Sequence, residues 1–536
     1  MFRRRLVIGV FLVALFGLGW WAGRVASRDL YADLDVFVQV LHRIEGNYVD
    51  PVDPHRLIQG ALKGMLRDLD PYSQFLDEKE LANLQSVTHG SFGGIGIVVS
   101  VRDDHPTVIS PIEGSPAWEA GLRAGDVIVA IDGKSSAGLT VAEVADRLRG
   151  PAGTEVRVTV SREGEDGEQE VTLERRIIET HAVPYAFLAA PGVGYVRLAS
   201  FSEKSGAEVG QALERLRARG AKSLVLDLRS NPGGLLEQAV DVTERFVPKG
   251  TLVVYTRGRA KAQDNRYHAG EAGPNPQWPM VVLVDGGSAS AAEIVAGALQ
   301  DLDRALVVGR TSFGKGSVQS VFPLRGGGSA LKLTTALYYT PSGRSIHHTT
   351  RDTQDAAGED DEDPGEVPPA GSDSVSKPAF RTRAGRIVHG GGGITPDVIV
   401  VPDTLQGLAW KVESRGLAFR FANRWLNLHP ETRPADAVPV PWEDFLAWLR
   451  AEKTSFTDTE AGAQRAPLER ALRREMARRM SGDSAAARIA LEDDPVFARA
   501  LQVLAHARAP RDVFAAVPAA PAPKRRDAPV RGATAH

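Results

Sequence analysis

Between residues 193 and 302, short apolar runs typical of strands alternate with longer runs typical of helices. Parallel strands need a crossover connection, usually a helix, so this alternation predicts a layered α/β domain with a largely parallel sheet. The predicted strands are Val193–Leu198, Ser223–Leu228 and Met280–Asp285, and the predicted helices are Glu208–Arg219, Leu235–Phe246 and Ala291–Leu302.

The rest of the chain has other residue patterns than this central part. The 536 residues of the whole chain are also more than one hydrophobic core usually holds. Leu34–Gln85 shows a helical period, Phe92–Arg176 shows short β-like runs, and an acidic, proline-containing stretch follows residue 350. The predicted fold class is multidomain α+β. Its predicted parts are an N-terminal anchor or signal at 1–28, a helical region at 29–86, a β-rich domain at 87–178, an α/β domain at 179–350 and 380–403, an acidic disordered insertion at 351–379, a helical extension at 404–510 and a disordered tail at 511–536.

The N-terminus carries an apolar run, Leu6–Gly23, between Arg3–Arg5 and Arg24. Its 18 residues would extend about 27 Å as a helix, close to the thickness of a bilayer core. We therefore expect a single-pass anchor in the inner (cytoplasmic) membrane, with the bulk of the chain in the periplasm. A cleaved signal peptide is the alternative.

Composition excludes several classes of site. A net charge of −3 argues against a nucleic-acid binder that relies on bulk positive charge. The absence of cysteine excludes a catalytic thiol, a disulfide scaffold and a thiolate metal site. No pattern in the chain predicts a metal or another cofactor.

The most informative segment follows the predicted strand that ends at Asp285. Seven small residues, Gly286–Ala292, separate this strand from a helix. A serine on such a turn can meet a substrate backbone closely, and the helix N-terminus favours a developing negative charge. Ser290 and Ser288 are therefore candidate nucleophiles, although turn residues or helix caps are the simpler interpretation.

A serine nucleophile needs a base, and no histidine lies between Gly270 and Ser345. Lys315 is the candidate base, provided that burial lowers its pKa by about 2–3 units from 10.4. Gln319 lies four residues on and could orient the amine. Alternatively, Gly309-x-x-x-x-Gly314-Lys315 has the spacing of a nucleotide-binding P-loop, but Gly316 stands where Ser or Thr should hold magnesium.

The blocks GGSASAAEIVAGALQD and SFGKGSVQ resemble the active-site blocks of C-terminal processing (tail-specific) proteases. The resemblance implies Ser290 as nucleophile, Lys315 as base 25 residues later, and Gln319 as the third catalytic residue. Ala292 and Ser312 depart mildly from the family pattern. The resemblance also implies a protease domain layered as in ClpP and crotonase.

A second block, LDLRSNPGGLL at Leu226–Leu236, is similar to the family turn that supplies an oxyanion-hole amide. By position this amide is the Gly234 N–H, with the Ala291 N–H as its partner. Further blocks with family counterparts are LRDLDPYSQFL, GSFGGIGI, PSGRSI and GGGGITPDV.

Residues from Phe92 to about Arg176 resemble a PDZ domain, through GGIG at Gly93, Gly94, Ile95 and Gly96 and through GLRAGDVI at Gly121–Ile128. Such a glycine-rich turn would bind a terminal carboxylate through backbone N–H groups while the peptide adds as a strand. Because related proteases use PDZ movement as a switch, Arg123 is a candidate contact to the protease domain.

Together these features predict a serine endopeptidase that cleaves extracytoplasmic proteins recognised by their C-terminal tails. The predicted partners are proteins or peptides with free C-termini, the membrane through the N-terminal segment, and a second copy of the chain or an adaptor, but no nucleic acid. A binding protein that kept the scaffold without activity is the alternative.

Overall fold

The computed structural model describes residues 30–102, 104–163, 165, 167–270, 277–325, 328–348, 378–402, 404–432 and 438–517. The chain divides into two compact units. The first contains the residues up to Leu81 together with Gln319–Thr334, and the second contains Ala82–Val318 and the residues from Thr335 onward. The helix Glu78–His89 and the strands Ser317–Pro323 and Ala330–Tyr339 contribute residues to both units.

The first unit is formed by two helices and a short strand pair. One helix covers residues 30–47 and the other is Pro54–Arg67, whose cap is Asp53, as its Asp-Pro start predicts. The strand Gln74–Leu76 pairs antiparallel with Ala330–Lys332.

The β-rich part of the second unit is an antiparallel sheet around a small apolar core, with the helices Pro116–Glu119 and Val141–Leu148. Ile97–Arg102 lies at one edge of the sheet, beside Val141–Leu148. The strands, in spatial order, are Ile97–Arg102, His105–Pro111, Val127–Ile131, Glu155–Ser161 and Glu168–Glu174; Lys134–Ser135 pairs with Val127–Ile131, and Ser91–Gly94 pairs with Arg176–Glu179.

The central α/β sheet confirms the predicted alternation of strands and helices. Alternate residues of each strand point to opposite faces, and both faces are covered, so its strands are continuously apolar. In spatial order the strands are Tyr185–Ala190, Val193–Arg197, Ser223–Asp227, Met280–Val284, Leu306–Gly309 and Val398–Ile399, parallel except for the first pair. One face packs against the helices Ser205–Ala218, Leu236–Glu244 and Ala291–Asp301, and the other against Pro495–His506.

Shorter elements complete the second unit. The strand Leu252–Gly258 pairs with Arg266–His268 and with Ala336–Tyr339, and Ala379–Arg381 pairs with Ile387–His389. After the α/β sheet the chain is helical and encloses a separate apolar core. The helices of this part of the chain are Gly407–Ser414, Leu417–Leu428, Trp442–Ala451, Asp458–Ala463, Arg465–Ser481, Asp483–Leu491 and Pro495–His506.

The prediction of a disordered tail at 511–536 is wrong at its start, because Pro510–Ala516 forms a 3₁₀ helix. Val513 of this helix is buried in the apolar core between the central sheet and Pro495–His506. The acidic stretch 351–377 and residues 518–536 lie outside the described residues.

The predicted localisation also needs correction. Within the described residues, no helix combines the length and apolar character needed to cross a bilayer. The run Leu6–Gly23, on which that prediction rested, lies outside the part of the chain that the structure describes.

Candidate active site

Ser290 lies at the turn that leads from the strand Met280–Val284 into the helix Ala291–Asp301. Its backbone has φ 54° and ψ −115°, a conformation that non-glycine residues rarely adopt and that costs about 1–3 kcal/mol. Its N–H donates to the Glu293 carboxylate at 2.8 Å, and its carbonyl oxygen accepts from the Glu293 N–H at 2.9 Å. Neither bond uses the hydroxyl group of Ser290.

Ser288 has a structural place in the same turn. Its buried hydroxyl donates to the Leu228 carbonyl oxygen at 2.8 Å and accepts from the Asp285 N–H at 3.0 Å. The simpler interpretation, a turn residue, therefore fits Ser288.

Glu293 connects the serine turn to the segment that carries Lys315. Its fully buried carboxylate accepts from the N–H groups of Ser290 at 2.8 Å, Gly314 at 2.7 Å and Lys315 at 2.9 Å, and from the Ser312 hydroxyl at 2.5 Å. Burial raises the pKa of Glu293 to about 7, even though all four donors favour the ionised form.

A second link between the two segments runs through Tyr338, which is buried. Its hydroxyl lies 3.0 Å from the Ser290 carbonyl oxygen and also within hydrogen-bonding distance of the Lys315 carbonyl oxygen. Lys315 itself is half-buried. The backbones at residues 290 and 315 are therefore held together by one carboxylate and one phenol.

Residues 230–235, which are predicted to supply an oxyanion-hole amide and which we therefore call the oxyanion turn, lie directly against Ser290. A methyl group added at Gly233 would lie 2.7 Å from Ser290 Cβ and 2.8 Å from the Ala291 nitrogen, so only glycine fits there. Asn231 fixes this approach, because its side chain donates to the Leu198 carbonyl oxygen and accepts from Gly233 N–H, while its carbonyl oxygen accepts from Ala289 N–H.

Gly234 forms an isolated parallel bridge with Phe201. In this bridge the Phe201 N–H donates to the Gly233 carbonyl oxygen and the Leu235 N–H donates to the Phe201 carbonyl oxygen. The Gly234 N–H therefore does not take part in the bridge.

Arg229, the residue immediately before the oxyanion turn, is held by two ion pairs. Arg229 donates to Asp227 through Nε and Nη2, and to Asp494 through Nη1 at 2.5 Å. Burial alone would raise the pKa of Asp227, but Arg229 and Arg197 hold it below its ordinary value. Tyr195 also donates to Asp227, at 2.9 Å.

The geometry rules out the P-loop interpretation of Lys315. A P-loop leads into a helix, whereas the residue after Gly316 begins the strand Ser317–Pro323. The N–H groups of Gly314 and Lys315, which a phosphate would need, already donate to Glu293.

Gln319 belongs to the first unit, where its side-chain amide donates to Thr334 at 3.4 Å. Thr334 in turn donates to Asp70, which also accepts from Tyr72 and Ser73. The predicted third catalytic residue is thus part of a polar network built on the Asp70 turn.

The predicted peptide-binding residues are only partly in a turn: Gly93 and Gly94 end the strand Ser91–Gly94, and Ile95 and Gly96 follow it. The carbonyl oxygens of Ile95 and Gly96 accept from Ala117 N–H and Ile112 N–H, so these carbonyls face the domain. A methyl group added at Gly96, which has φ +78°, would lie 2.3 Å from Ser115 Cβ. Gly93 and Gly94 pair with Ile177 and Arg176.

Arg123 lies on the β-rich domain, where its side chain pairs with Glu165 at 3.6 Å and its N–H donates to Asp126. Its predicted role as a switch stays a prediction.

Sequence reasoning assigned no role to Glu293, Asn231 or Tyr338. A signal for Glu293 was present, since it is a charged residue in a helix that is otherwise almost entirely apolar. Such a residue must be buried with partners. The roles of Asn231 and Tyr338 depend on contacts with distant segments, which no local pattern reveals.

A layered α/β sheet with a strained serine turn, which a glycine turn contacts and which is linked to a lysine segment, is the arrangement expected of a serine-type peptidase. Family models agree: "Peptidase family S41" matches residues 192–355, "PDZ domain" matches 107–162, and "Activating protease CtpB N-terminal domain" matches 23–80.

Similar proteins carry the same kind of name. A carboxy-terminal-processing protease of Bartonella bacilliformis is 44% identical over 345 residues, which are 63% of this chain and 79% of the relative. Carboxy-terminal processing protease CtpA of Bacillus subtilis is 36% identical over 61% of this chain and 69% of its own length. A solved photosystem II D1 C-terminal processing protease is 32% identical, covers 58% of this chain and 89% of its own, and has a TM-score of 0.35.

The chain belongs to the carboxy-terminal-processing protease family. The predicted fold class is confirmed: N-terminal helices, a PDZ domain, an S41 protease domain and C-terminal helices.

Proposed function

We propose that the chain is an endopeptidase that uses Ser290 as nucleophile, Lys315 as general base and Gln319 to orient the lysine. One observation carries this proposal: Glu293 and Tyr338 each contact the backbone of both Ser290 and Lys315. Two independent links of this kind fix the relative position of the two segments, and catalysis depends on such positioning.

In the proposed reaction the Ser290 hydroxyl attacks the scissile carbonyl while the uncharged amine of Lys315 accepts its proton. The N–H groups of Gly234 and Ala291 stabilise the oxyanion that forms. Lys315 then returns the proton to the leaving amine, and water hydrolyses the acyl-enzyme by the same steps.

Selection of substrates is assigned to the PDZ domain, through Gly93, Gly94, Ile95 and Gly96. The carbonyls of Ile95 and Gly96 are engaged with the domain, which leaves the backbone N–H groups of this turn as the proposed ligands of a terminal carboxylate. Ile97–Arg102 is an edge strand, which fits addition of a substrate tail as a further strand. Assembly with a second copy or an adaptor stays a prediction.

The proposal is tested with an unfolded protein prepared in two forms, one with a free C-terminal carboxylate and one with the same C-terminus amidated. We expect the free form to be cleaved about 10- to 100-fold faster at low substrate concentration, because the amide removes a charged acceptor worth about 1.5–3 kcal/mol. Cleavage is followed by mass spectrometry, with Lys315→Ala as the control for contaminating proteases.

Equal cleavage of the two forms would contradict tail recognition. Binding of the free tail without any cleavage by the intact chain would instead favour the alternative, an inactive PDZ scaffold.

A further inference from the structure

The C-terminal bundle, by which we mean the helices from Gly407 to His506, contacts the PDZ domain at the end of its edge strand. Arg102, the last residue of that strand, donates to the Gly416 carbonyl oxygen at 3.1 Å. Its guanidinium also lies 4.5 Å from the centre of the Phe419 ring, and Phe419 is only 4% exposed. A cation over an aromatic face is an attractive contact when it is shielded from water.

A second contact joins the same two parts of the molecule. Arg424 pairs with Glu163 at 2.8 Å, and the side chain of Asn427 donates to the Glu163 carbonyl oxygen. A cavity of about 320 Å³ lies between these contacts. The two parts are therefore not close-packed throughout their contact, unlike a domain core.

The other end of the C-terminal bundle contacts the residue that precedes the oxyanion turn. Asp494 caps the helix Pro495–His506 by accepting from the N–H groups of Val496 and Phe497. The same carboxylate accepts from Arg229, the residue immediately before the oxyanion turn. Phe497 packs edge-on against Tyr195, whose hydroxyl donates to Asp227.

Between these two ends the helices are linked first by an apolar core and then by ion pairs at the surface. Phe421, next to the PDZ contact, shares an apolar core with Leu472 of the helix Arg465–Ser481. That helix holds the residues just before Asp494, because Arg473 pairs with Glu492 at 2.9 Å and Arg470 pairs with Asp493 at 2.6 Å.

We propose that the C-terminal bundle is a brace that transmits the position of the PDZ domain to the oxyanion turn, with Asp494 as the positioning residue that contacts Arg229. The inference rests on the proposed function and adds its regulation. Occupancy of the PDZ domain by a substrate tail shifts Phe419 and Arg424. The packed helices pass this shift to Asp494, which sets the geometry of Arg229 and of the Gly234 amide. Coupling of this kind typically amounts to a 2- to 30-fold change in the affinity or rate at the second site.

Two single substitutions test the brace at its two ends. Phe419→Ala removes the ring at the PDZ contact and lies outside the apolar core of the C-terminal bundle. Asp494→Asn keeps the helix cap, since asparagine caps as well as aspartate does, but loses the charged pair with Arg229. Each variant is measured on the free and the amidated substrate, and tail-peptide binding is measured by fluorescence anisotropy.

We expect both variants to bind the tail peptide like the parent chain but to lose their preference for the free substrate by about 2- to 30-fold. Charge reversal supplies a matched control. Glu163→Arg alone should reduce the preference for the free substrate, because it places a second positive charge next to Arg424. Glu163→Arg combined with Arg424→Glu restores an ion pair and should restore the preference. Unchanged preference in both Phe419→Ala and Asp494→Asn would overturn the brace and leave the proposed function intact.

A measurement that needs no activity separates the two proposals. In Ser290→Ala protein, we expect a saturating tail peptide to slow hydrogen exchange of the amides at residues 233–235, and Phe419→Ala to abolish this protection. Protection that survives Phe419→Ala, or no protection in either protein, contradicts the brace whatever the chain cleaves.

Discussion

Replacing Ser290 by alanine is expected to lower kcat/KM by about 10⁴-fold or more while leaving tail-peptide binding unchanged. Loss of a serine nucleophile removes covalent catalysis and leaves only the contributions of binding and of the oxyanion amides. The backbone at 290 is strained for any residue with a Cβ, so alanine does not relieve the strain, and stability should change by less than about 1 kcal/mol. Cleavage is measured with purified protein and the unfolded substrate, and stability by urea unfolding.

Ser288→Ala is the matched control, because it removes a hydroxyl two residues away on the same turn. The Ser288 hydroxyl is buried and holds Leu228 and Asp285 together, so its loss should destabilise the chain by about 1–3 kcal/mol. We expect this variant to remain active when it is folded. An active Ser290→Ala protein together with an inactive, folded Ser288→Ala protein would assign the nucleophile to Ser288.

The central sheet could be predicted from sequence because its strands are buried on both faces. Val225 and Val281 face one layer while Leu226 and Val282 face the other, and all four are fully buried. Continuous apolar runs between helical periods are the direct result of that environment. The same local rules located the serine turn, which lies at the end of one such strand.

The helix that covers the other face of the central sheet, opposite Ala291–Asp301, could not be predicted in the same way. A helical region was predicted over 404–510, but the place of Pro495–His506 on the sheet was not, since Arg229 and Asp494 are 265 positions apart. Local periodicity shows that a helix has an apolar face and not which surface that face covers.

Glu293→Gln is expected to lower kcat/KM by about 10- to 100-fold with a smaller change in tail binding. The carboxylate accepts four hydrogen bonds, and a carboxamide presents an NH₂ group to part of the same donor set. At least one N–H of Ser290, Gly314 or Lys315 then loses its acceptor, at about 1.5–3 kcal/mol for a bond to a charged group. The relative position of the serine and the lysine is what changes, so we expect kcat to fall more than KM rises.

The pH dependence of the parent chain and of Glu293→Gln separates a positioning role from a general loss of stability. Burial raises the pKa of Glu293 from 4.5 to about 7, so the folded chain binds a proton that the unfolded chain releases between these values. Stability from this group therefore falls as the pH rises from 4.5 to about 7, by up to about 3 kcal/mol. Activity should change in the opposite direction, because only the ionised carboxylate can accept from all four donors.

We therefore expect the kcat/KM of the parent chain to rise through pH 7 while its free energy of unfolding falls over the same range. Both trends should weaken in Glu293→Gln, which has no proton to lose at this position. Lys315 is present in both proteins, so the difference between the two pH profiles isolates Glu293. Parallel pH profiles of kcat/KM in the two proteins would contradict this prediction. The Glu293 carboxylate would then be a structural group without influence on the reacting residues.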